Sequence, residues 1–544
     1  MKAWIEEALH SAESGHAFDA FDTVYSAMQR DAGPYTPDEI SALARVFQLA
    51  GQPDLSRMIL DRLPRDQWTE DHHSLHAALG GSSAPSTPPP APTEGARQRR
   101  QAAPPEKSTD HPEHPLRVAM ISVSDSGGAG TSAYRLHLGL RAIGVESTMF
   151  VVMKRRDDPT VLVLPPDPGT GEIMDALPQD ERETVWKQTT ERWRRNMAPY
   201  PTRPTGLEAF TDARSTSRID LLRGVRDADI VNLHWIAGIV DYPTLGGLLR
   251  GKASVWTLHD IHAFAGGCHY SAGCFNYRHQ CGACPVLGST REDDLSRAIW
   301  NTRRTLYEQI SLDVVTPSRW LQQEAQSSTL LGKFPVHHIP YGLPLDLFQP
   351  GDRDKQRRKL GVDPEEKMIL FGADSVGNLR KGFQLLVKAL PELDRMLPAQ
   401  ERIALVTFGK EPPQLSPPNR FRVLHLGSLS GEKKIADVYS ASDLFAIPSL
   451  EDNLPNTVLE SLACGTPVVG FAIGGIPDMV EHKQTGYLAE PFDVKDLAQG
   501  IQWVLAQDAI GSMRESCRRR AVTIYPLERQ AERYHELFRQ LVRG

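Results

Sequence analysis

Mostly apolar runs bounded by turns recur along most of the chain, and most are followed by a stretch with apolar positions at helical spacing. From position 116 the run LRVAMISV reads as a buried strand, since short apolar runs suit strands covered on both faces. A glycine-rich segment over 124–130 follows, then a helix with Ala133, Leu136, Leu140 and Ile143 on one face. Further strands are expected at 148–153, 230–233, 254–258, 314–315 and 336–339, and a second set at 368–371, 402–408, 445–448 and 468–471. Strands alternating with helices predict an α/β protein with parallel sheets. Two consecutive sets imply two doubly wound units facing a cleft. A last amphipathic helix over 528–542 carries Tyr534, Leu537, Phe538 and Leu541.

Residues 1–79 show helical periodicity alone. Phe18, Phe21, Val24, Tyr25 and Met28 form one apolar stripe, and a second helical pair covers 40–49 and 55–63. Gly15 and Gly51 lie 36 positions apart, near a tetratricopeptide period. A small helical cap and a partner-binding helical module both remain open. Residues 80–115 are rich in Ser, Pro, Gly and Ala, an extended linker. The expected division is therefore a helical domain at 1–79, a linker at 80–115, lobes at 116–350 and 351–527, and a closing helix at 528–544.

With 544 residues the chain is too long for one core. A hydrophobic content of 40% and a charged content of 24% describe a soluble globular protein. The net charge of -7 argues against a general nucleic-acid binder. The opening MKAWIEE places acids where a signal peptide needs an apolar core. No apolar run reaches the roughly eighteen residues of a membrane span. The expected location is the cytoplasm, with peripheral contact at the inner membrane surface as an option. Trp186, Arg192, Trp193, Arg194 and Arg195 could dock a helix on anionic headgroups, and a solvated insertion is the plainer reading.

The most informative stretch is PSLEDNLPNTVLESLACGTPVVGFAIGGIPDMVEH, over 448–482. A strand ends in a polar loop, Pro455 opens a helix with Val458, Leu459 and Leu462 inward, and Gly465 closes it. A second strand then leads into a Gly474-Gly475-Ile476-Pro477 turn. In such a βαβ unit, polar loops at the carboxyl ends of strands face the ligand crevice. Glu460 leans back toward that crevice, and Asp452 precedes it by eight positions. Carboxylates beside a helix N-terminus can grip sugar hydroxyls while backbone amides hold phosphate. A capping Asp and a solvated helix Glu are the bland alternative.

Together these residues resemble the donor-nucleotide site of the family-4 glycosyltransferases, which have the two-domain GT-B fold. The family hallmark Glu-x7-Glu is matched by Asp452-x7-Glu460, with Glu451 a register-shifted rival. The resemblance covers about 116–542 and implies a retaining, metal-independent glycosyltransferase that uses a nucleotide-diphosphate sugar. It places Glu460 on the ribose diol and Asp452, with the loop residues Asn453 and Leu454, on the donor sugar. Gly474, Gly475 and Ile476 would approach the donor through their backbone.

Lys381-Gly382 stands where the family sets a Lys against the donor pyrophosphate. The partner Arg expected after Gly372 is replaced by Ala373, leaving Arg380, or Ser375 and Asn378, to compensate. Gly128, in the 127–130 loop, would face the donor phosphates. That loop is not G-x-G-x-x-G, and the strand at 149–153 ends in Lys154-Arg155-Arg156 rather than a ribose-binding acid, against a dinucleotide fold. His234 and His259 end strands, and the resemblance puts them near the reacting sugar and the acceptor. His259-Asp260 is a candidate acid/base pair on the acceptor side. Asp227-Ala228-Asp229 imitates a metal motif but precedes a strand, so it reads as a solvated turn.

Four of the six cysteines, Cys268, Cys274, Cys281 and Cys284, fall in one loop. This spacing suits a closed structural zinc site, with a disulfide staple the weaker option in a reducing compartment. No cofactor is expected for catalysis. The expected partners are a nucleotide-diphosphate sugar, a glycan, lipid-linked or protein acceptor, and a protein partner at 1–79. Surface polysaccharide or glycoconjugate synthesis is the expected setting. A protein-modifying glycosyltransferase and a catalytically idle GT-B scaffold are the alternatives.

Overall fold

In the computed structural model the chain divides into two compact units, Met1–Pro115 and Leu116–Gly544. The structure describes residues 114–165, 182–215, 217–413, 415–506 and 510–543, together with 37–49 and a few isolated positions. In the first unit the helix Pro37–Leu49 buries Ile40, Leu43, Ala44 and Val46. The Phe18 to Met28 stripe, the 55–63 segment and the proline-rich linker lie outside the described residues.

The second unit is built on two sheets. The first contains β1 (Arg117–Ser124), β2 (Glu146–Met153), β3 (Val161–Val163), β4 (Ile230–Leu233), β5 (Ala253–Thr257), β6 (Asp313–Thr316) and β7 (Val336–His338). The second contains β8 (Lys367–Gly372), β9 (Ile403–Phe408), β10 (Phe421–His425), β11 (Leu444–Ile447), β12 (Val468–Phe471) and β13 (Gly486–Ala489). Their orders are β3-β2-β1-β4-β5-β6-β7 and β10-β9-β8-β11-β12-β13, parallel throughout. These are two Rossmann-like domains of a GT-B fold. β3, β10 and β13 were not foreseen from the apolar pattern, and all three lie at sheet edges. β10 buries only Phe421 fully, and edge strands lack the continuous apolar run that two-sided burial imposes.

Strand order reverses between β1 and β4 and again between β8 and β11. At such points the loops leaving neighbouring strands diverge and open a crevice at the carboxyl ends. The terminal helix Leu527–Arg543 returns to the first sheet. Its Ala531, Tyr534 and Phe538 pack among Val118, Met120, Leu136 and Leu140, and Tyr534 bonds Thr257 Oγ1 at 2.9 Å. Burial of a side chain such as Phe538 contributes about 1.5–3 kcal/mol, so this helix is part of the first lobe's core.

On the helix Arg182–Met197, Trp193, Arg194 and Arg195 are exposed, whereas the side chain of Trp186 lies outside the described residues. No helix among the described residues is long and apolar enough to cross a membrane.

Candidate active site

The loop after β11 carries Asp452, which is buried. Lys381 Nζ lies 2.7 Å from one of its oxygens, Arg380 Nη1 3.4 Å from the other, and Ser449 donates to it at 3.1 Å. Burial alone would raise this carboxyl, but Lys381 and Arg380 together draw it below the usual carboxylate range. Arg380 also pairs with Glu208 of the first lobe at 2.7 Å and covers the Tyr270 ring at 3.9 Å. A single turn, Leu379–Lys381, presents both cations. It is held against the end of β11 because Gly382 adopts φ 70°, and a Cβ there would strike the Pro448 carbonyl. Thus the two side chains expected on phosphate, Lys381 and Arg380, are ion-paired to the carboxylate expected on the sugar.

Eight residues on, Glu460 takes a different partner. The helix Asn456–Ala463 buries it against Arg135 of the helix Gly127–Ala142, in the other lobe. Arg135 Nη2 lies 2.8 Å from Glu460 and 2.9 Å from Glu432, while its guanidinium sits 5.1 Å from the Phe348 ring. Burial raises the Glu460 carboxyl, Arg135 works against that shift, and Glu432 adds to it. The Nε and Nη1 of Arg135 are buried without a partner. An ion pair so desolvated is held mainly by the penalty of separating it, because either member alone would be an uncompensated charge.

Three further residues close to Asp452 in the chain reach across to the first lobe. Glu451 accepts from the Ser271 and Ala272 amides, each at 3.2 Å, and burial pushes it up to about 7. Asn453 accepts from Ser318 Oγ at 2.5 Å and donates to the His259 carbonyl at 3.1 Å. Asn456 donates to the Gly128 carbonyl at 2.9 Å. Gly474 and Gly475 pack backbone to backbone on this loop, where a Cβ would strike the carbonyls of Asp452 and Asn453. Gly475 N–H donates to the Asp452 carbonyl at 3.1 Å. Leu454 and Ile476 place their side chains in the second lobe's core.

In the first lobe, His234 and His259 meet at the ends of β4 and β5. Nδ1 of His234 lies 3.0 Å from Nε2 of His259, whose Nδ1 lies 2.7 Å from the Tyr341 hydroxyl. Burial lowers both imidazoles, His259 to about 4 and His234 well below its ordinary value. His259 and Asp260 do not form the acid/base pair expected on the acceptor side. Successive side chains leave a strand end in opposite directions, and Asp260 instead meets His269 Nδ1 at 2.7 Å and the Trp235 indole at 2.8 Å. Asp229 lies in the solvent-accessible bend before β4, where it pairs with Arg117 at 3.0 Å and accepts that residue's amide at 2.8 Å.

Residues 368–507, the region that holds Lys381, Asp452 and Glu460, match the family described as glycosyl transferases group 1. Residues 368–507 are a glycosyl transferases group 1 domain. The D-inositol 3-phosphate glycosyltransferase of Mycobacterium sp. (strain KMS) is 28% identical over 421 residues, covering 72% of this chain and 83% of that protein. The protein of the same name from Mycolicibacterium smegmatis is 26% identical over 433 residues, covering 74% and 87% respectively. Among solved structures, sucrose-phosphate synthase from Thermosynechococcus elongatus superposes with a TM-score of 0.52 at 20% identity, covering 78% of this chain and 99% of that one.

The cysteine-rich loop of the first lobe gathers its four thiols around one cavity of about 10 Å³, lined by Cys268, Cys274, Cys281 and Cys284. All four are free and buried, and burial raises each thiol. Among the described residues no group of three or more His, Cys, Asp or Glu side chains is arranged to hold a metal ion. The zinc expected from the sequence spacing of these cysteines has no such group behind it among the described residues. The loop's visible role is mechanical, since its Ser271 and Ala272 amides hold Glu451.

Arg135, Glu208, Glu432 and Tyr341 escaped the sequence reading. Each contributes through a partner on a distant segment, which periodicity does not reveal. One signal was available: Arg135 lies between the apolar positions Ala133 and Leu136 of an inward helix face, an unusual place for an unpaired charge.

Proposed function

We propose that the glycosyltransferase moves a sugar from a nucleotide-diphosphate donor to a hydroxyl of a glycan or lipid-linked acceptor, with retention and without a catalytic metal. The observation that carries this reading is the constellation at the β8/β11 reversal. Asp452 and its cations Lys381 and Arg380 stand there, with Glu460 and Arg135 beside them across the lobe boundary. Donor binding would exchange these ion pairs for ligand contacts. Glu460 would give up Arg135 for the ribose diol, and Lys381 would give up Asp452 for a diphosphate oxygen. Asp452, with the amides of Asn453 and Leu454, would then be released to the sugar hydroxyls.

Positive charge placed where the leaving diphosphate develops negative charge lowers the barrier. The departing phosphate oxygen would take the acceptor's proton on the same face, so the reading assigns no side chain as base. The similarity to D-inositol 3-phosphate glycosyltransferases makes D-inositol 3-phosphate the first acceptor to try. The test titrates UDP-, GDP- and ADP-glucose against the purified protein by thermal shift and follows donor hydrolysis in EDTA. One nucleotide sugar should raise the melting temperature and be cleaved slowly with EDTA present. Binding without any turnover, or no binding at all, would favour an idle scaffold.

A further inference from the structure

His234 is the end of a hydrogen-bonded chain that starts at the segment joining the two sheets. Tyr341 lies between β7 and β8, is 6% exposed, and stacks on His259 with ring centroids 5.6 Å apart. Among the described residues its hydroxyl has one hydrogen-bonding partner, His259 Nδ1 at 2.7 Å. His259 Nε2 in turn meets His234 Nδ1 at 3.0 Å, and His234 Nε2 is buried with no partner. The His234 backbone is pinned on both sides, its amide donating to the Ile121 carbonyl at 2.9 Å and its carbonyl accepting from the Trp256 indole at 3.1 Å. The His259 carbonyl accepts from Asn453, next to Asp452 in the donor lobe, so the chain ends at the lobe boundary.

The direction of this chain follows from counting protons. A phenol carries one proton, and pointing it anywhere but His259 would leave a buried donor unsatisfied. Tyr341 therefore donates to His259 Nδ1. A neutral imidazole has one N–H, and burial keeps both rings neutral, so His259 carries its proton on Nε2 and donates to His234 Nδ1. That leaves the His234 proton on Nε2, aimed at no protein group. We propose that Tyr341 and His259 are positioning residues that set His234 as an Nε2–H donor to an oxygen of the bound sugar, and that His234 does not serve as a general base. The role toward the sugar rests on the glycosyl-transfer reading above, whereas the tautomer does not.

The test reads the tautomer directly and needs no donor. Nitrogen-15 NMR of histidine-labelled protein near pH 7.5, with the His234 signals assigned by their loss in His234→Gln, should show His234 protonated at Nε2. Tyr341→Phe removes the donor that starts the chain. It should leave the His234 tautomers mixed and slow donor hydrolysis about two- to tenfold, the worth of one neutral hydrogen bond, with KM little changed. A wild-type His234 protonated at Nδ1 would overturn the proposal. So would a folded Tyr341→Phe protein with an unaltered histidine spectrum and unaltered kcat. If Tyr341→Phe does not fold, the wild-type spectrum decides alone.

Discussion

The two lobes bring buried polar groups to their boundary in opposite electrical states. The second lobe is ionic there: Asp452 is held by Lys381 and Arg380, and Glu460 by an arginine from across the boundary. The first lobe lends Arg135 and Glu208 to such pairs, but its own cluster of His234, His259 and Tyr341 is neutral, linked by hydrogen bonds, with both imidazoles stripped of charge by burial. A desolvated charge survives only beside an opposite charge, so the ionic lobe is a set of pairs that an anionic ligand can enter by exchange. A neutral chain cannot trade charges in that way, and what it supplies is direction. The division of labour fits the proposed transfer, whose leaving group is anionic and whose migrating sugar is uncharged.

The contrast breaks most visibly at Glu460. Glu460→Ala removes the proposed ribose contact while Arg135 keeps Glu432 as a partner. Donor affinity should fall about ten- to a hundredfold, the value of charge-assisted hydrogen bonds worth roughly 1.5–3 kcal/mol, and turnover should be lost. Calorimetric affinity equal to wild type would remove Glu460 from the donor site.

A smaller effect sharpens the same comparison through stability. Lys381→Met leaves Asp452 buried with the longer contact to Arg380 as its one ion pair, and should destabilise the fold by about 3 kcal/mol in urea titration. His259→Gln in the neutral lobe disturbs uncharged hydrogen bonds and should cost about 1 kcal/mol. Equal losses in the two variants would mean that the lobes do not differ as described.

The subtlest effect belongs to Glu451, a carboxyl of the second lobe that behaves like the neutral lobe. Burial places it at about 7 against an ordinary value of 4.5, so the folded protein holds its proton more tightly than the unfolded chain. Its contribution is complete below about pH 4.5 and is lost as the pH rises through about 7. Glu451→Gln should abolish that part of the pH dependence of the melting temperature, becoming more stable relative to wild type as the pH rises. Parallel profiles for the two proteins would show that Glu451 is already ionised where it contacts Ser271 and Ala272.

Much of this molecule is determined by the order of residues along the chain. Buried strands must be apolar on both faces and their helices on one, so β1, β4, β8, β11 and β12 were legible from composition at short range. The same locality exposed the Asp452–Glu460 spacing, because both residues belong to one βαβ unit. What sequence could not determine was who neutralises whom. Arg135 and Glu460 lie 325 positions apart, Glu451 and Ser271 lie 180 apart, and Lys381 and Asp452 lie 71 apart. Nothing in local periodicity records such pairings, since the last exists only after the second sheet has folded and the other two only after both sheets have folded and faced each other. Three of the four edge strands, β3, β10 and β13, were missed for a related reason: they are short or only partly buried, and the parallel ladder beside them completes what their side chains leave unspecified. Even His259 and Asp260, neighbours in sequence, were parted by the geometry of a strand end, which sends adjacent side chains to different partners.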